Sequence, residues 1–311
     1  MYQVKSPILF LIFNRPKESQ ILFNVISQAK PKKLYVAADG PRNNGKDELL
    51  CKETKDILNQ INWDCELVTL FREENLGCGK AVSSAITWFF ENEEEGIILE
   101  DDCLPSPDFF RFCDVMLEKY RIDNRIGHIC GCNFQDGIKR GEGDYYYSKL
   151  THVWGWASWR RVWEKYDFEM IGLEEVNEND VISALTDNEV NKKSIYKAFF
   201  STKEGEINTW DYQYFFSNLV NGRFSIIPNY NMISNIGFNA DGTHTFNTNS
   251  PMSNVLFNEL PLEIKHPTFM FQNRLADNYT LDKEIPTLLQ VLKNNFKTKI
   301  KHVLVSLGLY K

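Results

Sequence analysis

The sequence predicts an α/β fold, a mostly parallel sheet flanked by helices and followed by a helical tail. Three observations predict it. Short apolar runs alternate with helical apolar spacing four times in the first ~110 residues, as parallel strands joined by right-handed crossovers require. The runs Pro7 to Phe13 (PILFLIF) and Ile97 to Leu99 lack polar alternation, the mark of strands covered on both faces. Finally, each run ends in polar residues: Asn14 and Arg15, Asp39, Arg72, then Glu100 to Asp102. In open α/β sheets that carboxyl edge is where ligands bind, and a nucleotide would sit there.

Taken in order, Pro7 to Phe13 is the first strand, and Asn14-Arg15-Pro16 ends it. Lys17 to Ala29 carries Ile21, Leu22, Val25, Ile26 and Ala29 at helical spacing. Leu34 to Ala38 is a second strand closed by Asp39-Gly40-Pro41, and Asp47 to Ile61 is helical. Glu66 to Phe71 is a third strand. Asn75 to Lys80 is a glycine-containing turn that feeds a helix over Ala81 to Phe90. Next comes GIILEDDCLPSPDFF, Gly96 to Phe110, a buried strand with three acids at its end, then a proline-broken turn and a helix to Arg121. Adjacent carboxylates ~5 Å apart at an effective dielectric of ~20 repel by about 3 kcal/mol per pair. A hard divalent cation with oxygen ligands would offset that repulsion and also grip phosphate. The same acids also suit a solvated turn capping the next helix.

Ile126 to Cys130 reads as a further strand, Gly131 to Gly143 as loop, and Tyr145 to Tyr147 as an edge or sheet-crossing strand. Four of the seven tryptophans fall between Trp154 and Trp163. Trp159 and Trp163, four apart, are expected to pack one helix face into the core. Trp154 and Trp156 flank a glycine before that helix and are expected to line a pocket, where aromatic faces would stack on sugar rings. Glu174 to Phe200 is polar and helical. A helix starts at Trp210-Asp211-Tyr212, and short strands follow at Phe224 to Ile227 and within Asn229 to Ile236. Gly237 to His244 is a small glycine-rich loop, either a lid or a plain connection. Pro286 to Lys311 is helical by pattern, with Leu288, Leu292, Phe296, Ile300, Val303 and Leu307 in one stripe and five lysines. It is expected to dock on the domain, with a membrane-surface or partner-protein helix as the alternative.

The composition sets bounds. A net charge of −7 makes nucleic acid an unexpected partner. The seven cysteines show no framework spacing, and Cys130-Gly-Cys132 is too tight for an ordinary zinc pair, so reduced buried thiols in a cytoplasmic protein are expected. The N-terminus lacks a signal-peptide cleavage site, and no apolar run reaches the ~18 residues of a membrane span. Neither GxGxxG after the first strand nor GxxxxGK[ST] occurs, which disfavours dinucleotide oxidoreductases and P-loop enzymes.

With these residues laid out, the chain resembles GT-A-type glycosyltransferases that use nucleotide-diphospho-sugars. It is most similar to the family of the N-acetylglucosaminyltransferase that starts complex N-glycans, and to bacterial polysaccharide-locus sugar transferases. Three stretches carry the resemblance: ILEDDCLPSPDFF at Ile98 to Phe110; Asn14-Arg15 with Asp39; and Trp210-Asp211, followed by a helix, a strand and the loop with Gly237 and His244. The resemblance implies that Asp102 binds Mn²⁺ or Mg²⁺, which bridges the diphosphate of a UDP-sugar. It assigns Asp101 to the ribose or a metal water, Glu100 to sugar hydroxyls, Asn14 and Arg15 to the nucleotide or diphosphate, and Asp39 to the uracil edge. Asn14 stands where the family has Asp, which opens the base preference. Asp211 is the expected general base, with an N-cap role as the alternative. Trp210 joins Trp154 and Trp156 in the expected acceptor wall.

The expected organisation is a nucleotide-sugar half (1–135), an acceptor half (136–270) and a tail (271–311). The expected activity is metal-dependent, inverting transfer of a sugar to a glycan, lipid-linked glycan or other glycoconjugate in bacterial surface polysaccharide assembly. A sugar-nucleotide nucleotidyltransferase and a non-catalytic carbohydrate-binding protein are the rival readings.

Overall fold

The structure, a computed structural model, describes residues 2–176, 182–237 and 255–285. His244 and the expected helix 286–311 lie outside the described residues. The apolar runs form strands where expected: β1 (Ile8–Ile12), β2 (Lys33–Ala38), β3 (Glu66–Phe71) and β4 (Glu95–Glu100). Further strands are β5 (Cys103–Pro105), β6 (Ile126–Cys130), β7 (Tyr145–Ser148), β8 (Trp156–Trp159), β9 (Phe224–Pro228) and β10 (Ile233–Asn235).

Among the described residues, eight strands share one sheet in the order β3-β2-β1-β4-β8-β6-β9-β7. The β3-β2-β1-β4 half is wholly parallel, as is β6 beside β9, while β8 and the edge strand β7 run against their neighbours. Every residue of β1 is buried, because helices cover both faces.

Helices α1 (Pro16–Ala29), α2 (Asp47–Asp56), α3 (Gly77–Asn92) and α4 (Pro107–Tyr120) connect the parallel strands. α1 and α4 each begin with a proline, whose fixed φ and missing N–H suit a first helical turn. α3 starts at Gly77, earlier than the apolar spacing predicts. Gly77 holds φ 77°, a backbone that glycine adopts without steric cost. Further α-helices are α5 (Arg160–Trp163), α6 (Glu189–Lys203), α7 (Asp211–Val220) and α8 (Arg274–Glu284).

The tryptophan-rich segment departs from expectation. Trp156 to Trp159 is a strand in the middle of the sheet, and only a short helix follows it. The alternation Trp-Ala-Ser-Trp satisfies a strand buried on both faces as well as it satisfies a helix, and the open backbone groups of β4 and β6 decide the case. Trp159 and Trp163 are buried, as expected, but not on one helix face. The Trp159 indole N–H donates to the Leu117 carbonyl (3.3 Å) and that of Trp163 to the Thr87 hydroxyl (3.0 Å).

All seven cysteines are free thiols, five of them buried. No helix among the described residues is long and apolar enough to cross a membrane.

Candidate active site

The carboxyl ends of β1, β2 and β4 open into a cleft of about 1230 Å³. Asn14, Arg15, Asp39, Glu100, Asp101 and Asp102 line one wall, while Trp154, Trp210 and Asp211 line the other. Parallel pairing puts all three strand ends at one level, since Ile12 is opposite Ala38 and Leu11 opposite Glu100.

The acid cluster has its cation within the chain. One Arg15 guanidinium nitrogen lies 3.2 Å from an Asp101 oxygen and 2.9 Å from an Asp102 oxygen. Burial alone would lower the Arg15 pKa, but the two carboxylates beside it more than offset this and raise it. One guanidinium cannot neutralise three acids. Burial pushes the Asp101 carboxyl up to about 7 in spite of Arg15. Burial also drives Glu100 well above the usual carboxylate range, and Asp102, Asp101 and Asp211 add to that push. Among the described residues no donor bonds the Glu100 side chain, so a proton or an incoming positive group would relieve it.

Asn14 and Asp39 face the cleft with their polar groups engaged. The Asn14 amide donates to Asp47 (2.9 Å), which also holds Arg42, and the Arg42 guanidinium lies 5.3 Å from the centre of the Phe13 ring. Both Asp39 oxygens accept bonds from the α3 N-terminus: the Leu76 N–H (3.0 and 3.1 Å), the Gly77 N–H (3.1 Å) and the Asn75 amide (3.0 Å). A carboxylate there offsets the positive end of the helix dipole. Asp39 thereby fixes the floor of the cleft.

Asp211 is the first residue of α7. It is half-buried, and its Oδ1 accepts bonds from the Thr209 hydroxyl and from the Tyr212 N–H (3.0 Å). The loop in front of it is clamped to α3. Asn208 Oδ1 accepts from the Gly79 N–H (3.0 Å), and the Asn208 amide fills the space a Cβ would need at Gly77 and Gly79. Sequence reasoning missed Asn208, because the clamp joins residues 129 apart. The glycine-bearing turn Asn75 to Lys80 was its only local trace. Also missed was Cys78, between those glycines on the cleft wall, whose thiol burial pushes up to about 12.

Trp154 is half-buried in the cleft wall, with the Phe134 ring edge-on behind it (5.3 Å). Trp156 is a correction: it is fully buried and does not reach the cleft. Strand alternation turns it inward, onto Trp210 (5.7 Å), His128 (5.4 Å) and Tyr214 (4.9 Å). Trp210 lines the cleft but is only 2% exposed.

Gly237 packs against the acid cluster. β10 pairs with β5, the Ile236 N–H donates to the Asp102 carbonyl (2.8 Å), and a Cβ at Gly237 would collide with the Asp102 side chain.

No group of three or more His, Cys, Asp or Glu side chains suited to a metal occurs among the described residues. A Mg²⁺-type ion needs no such cage, since one or two carboxylates plus substrate phosphates suffice. Asp102, a carboxylate on the cleft wall beside Asp101, has the donor chemistry for such an ion.

No protein-family model matches the chain, and no curated protein matches it. Among solved structures, one similar fold is the mannosyltransferase PcManGT from Pyrobaculum calidifontis in complex with GDP-Man and Mn²⁺. It is 16% identical over 53% of this chain and 47% of that one, with a TM-score of 0.34, so the match spans under half of the mannosyltransferase. A UDP-glucose pyrophosphorylase complexed with UDP-glucose is 13% identical over 53% of this chain and 79% of that one, at a TM-score of 0.33. 4-Diphosphocytidyl-2C-methyl-D-erythritol synthase from Anaerococcus prevotii is 14% identical over 52% and 76%, at 0.32.

Proposed function

We propose that the chain is a metal-dependent glycosyltransferase that moves a sugar from a UDP-sugar to a glycan or glycoconjugate hydroxyl. The observation that carries this reading is a single cleft lined by an acid cluster with Arg15 and also by Asp211 and a half-buried tryptophan, Trp154. The first wall suits a nucleotide diphosphate and the second a polar acceptor with apolar ring faces.

Asp102 would hold Mn²⁺ or Mg²⁺, whose Lewis acidity would neutralise the departing diphosphate. Arg15, released from Asp101 and Asp102, would turn its fork to the phosphate oxygens, a bidentate match for guanidinium. Glu100, whose charge is disfavoured by burial and by the neighbouring acids, would hydrogen-bond a sugar hydroxyl. Asp211 would take the acceptor proton on Oδ2, because Thr209 and the Tyr212 N–H hold Oδ1. A base facing the donor across the cleft gives in-line displacement and inversion.

The first test is thermal stabilisation by UDP-, GDP-, dTDP- and CMP-sugars, each with Mn²⁺ and with EDTA. A ligand at ~100 times its Kd adds about 2.7 kcal/mol to stability. A shift with a UDP-sugar that EDTA and Asp102→Ala both abolish is expected, and no shift with any nucleotide sugar overturns the reading. Asp211→Asn should keep that shift and lose transfer by roughly 10²–10⁴-fold. Full activity in this variant removes Asp211 as base.

A further inference from the structure

The cleft runs from the acid cluster after β4 to the ends of β2 and β3, where Asp39, Arg72 and Asn75 line it. Phe71 is opposite Ala38 in the parallel pair, and the Arg72 N–H donates to the Ala38 carbonyl (3.0 Å). Arg72 and Asp39 therefore leave the sheet side by side.

The hydrogen-bonding capacity of Asp39 is committed within the chain. Besides its bonds at the α3 N-terminus, its Oδ1 accepts from the Gly40 N–H (3.0 Å), and the residue is 9% exposed. Asn75 is held by this arrangement. Its Nδ2 donates to Asp39 Oδ2 (3.0 Å) and to the Gly40 carbonyl (2.8 Å). Both partners are pure acceptors, so the amide has one orientation. Asn75 Oδ1 is left as a fixed acceptor, with no donor of its own among the described residues.

Arg72 supplies the complement. Its guanidinium is half-buried, and among the described residues Ser84 is the one side chain it bonds, through Nη2 (2.8 Å). Burial pulls its pKa down, and Asp39 offsets only part of that. A guanidinium carries five N–H donors, so most remain for a ligand with acceptor oxygens.

A fixed acceptor and a donor fork three positions apart match one kind of base edge. Uracil and guanine present a ring N–H beside a carbonyl oxygen. Cytosine and adenine present the reverse, a bare ring nitrogen beside an amino group. Against the reversed edge, Asn75 Oδ1 would meet a lone pair and the guanidinium an amine, and polar groups left unpaired in a binding site are what reject a near-identical ligand.

We infer that Asn75 and Arg72 read the base, with Asn75 Oδ1 accepting the ring N–H and the Arg72 guanidinium donating to the adjacent carbonyl, so that keto bases are selected over amino bases. Asp39 acts one step back, as the positioning residue that fixes the Asn75 amide. The inference rests on the reading of the cleft as a nucleotide-sugar site.

The test is titration calorimetry of the full chain with UDP, CDP, GDP and ADP, each with Mn²⁺, so that keto and amino bases are compared at equal ring size. UDP should bind roughly tenfold or more tightly than CDP, and GDP more tightly than ADP. Arg72→Gln should weaken UDP binding about tenfold and bring the UDP-to-CDP ratio toward one. Arg72→Lys, which keeps a cation without the fork, should give an intermediate ratio. The ratio is the deciding quantity, because a general structural defect weakens both nucleotides alike. Equal wild-type affinity for UDP and CDP overturns the inference, and this measurement needs no variant to fold. An unchanged ratio in Arg72→Gln also overturns it. No binding of any nucleoside diphosphate is a different failure, which overturns the nucleotide-sugar reading and this inference with it.

Discussion

The two walls of the cleft are built on opposite principles. The wall from β1, β2 and β4 crowds ionisable groups at the ends of buried strands, where Arg15 holds Asp101 and Asp102 and nothing described bonds Glu100. The facing wall is aromatic. Trp154, Trp210 and Tyr212 line the cleft there beside Asp211, backed by a buried stack of Trp156, Trp163 and Tyr214. The first wall stores unfavourable electrostatics that a ligand can relieve, whereas the second rests on closely packed aromatic rings that serve as a rigid backing. A functional surface can therefore be poor in stabilising contacts while its support is rich in them.

The largest effect that would break this contrast lies in the aromatic wall. Trp156→Ala empties a fully buried indole site and should cost about 3–5 kcal/mol, read from denaturant midpoints, whereas Trp154→Ala should cost less than about 1 kcal/mol. Equal losses would mean that Trp154 belongs to the packed backing as fully as Trp156 does. Gly237→Ala sharpens the contrast on the acidic side. The added methyl must displace the Asp102 carboxylate, with an expected cost of roughly 1–3 kcal/mol and a weaker EDTA-sensitive nucleotide-sugar shift. Unchanged binding in that variant would separate Gly237 from the metal position.

The smallest expected effect is a pH dependence. The Asp101 carboxyl, ordinarily near 3.8, titrates at about 7 in the fold because burial disfavours its charge. The folded state therefore binds this proton more tightly. The group's contribution to stability is full below the ordinary value and is lost as pH rises through about 7. Asp101→Asn should show a flatter melting temperature across that window and melt a few degrees, roughly 2–4 °C, above the wild type at its alkaline end. A parallel decline in both proteins would remove Asp101 as the source.

Much of the acidic wall was legible in the sequence. Short apolar runs without alternation, separated by helical spacing, read as strands covered on both faces, and the carboxyl ends of parallel strands lie at one edge. Asn14, Arg15, Asp39 and Glu100 to Asp102 therefore had to meet there. Asp211, following Trp210 at the head of an amphipathic stretch, was legible as a helix start, while its place at the cleft was implied only by the resemblance. What local pattern could not supply was partner choice. That Arg15 would sit on Asp101 and Asp102, that Asp39 would serve the α3 N-terminus, and that Asn208 would lock the Asp211 loop across 129 residues each depends on contacts between distant segments. The tryptophan segment shows the same limit. Trp-Ala-Ser-Trp fits a helix or a strand by periodicity, and the choice fell to unpaired backbone groups on β4 and β6. Sequence determined which side chains are apolar, where strands end and where charge gathers, because these are local properties of the chain. Tertiary structure alone decided which buried polar and aromatic groups satisfy one another, because a backbone N–H or a carboxylate in the interior must take its partner from whatever segment the fold brings within reach.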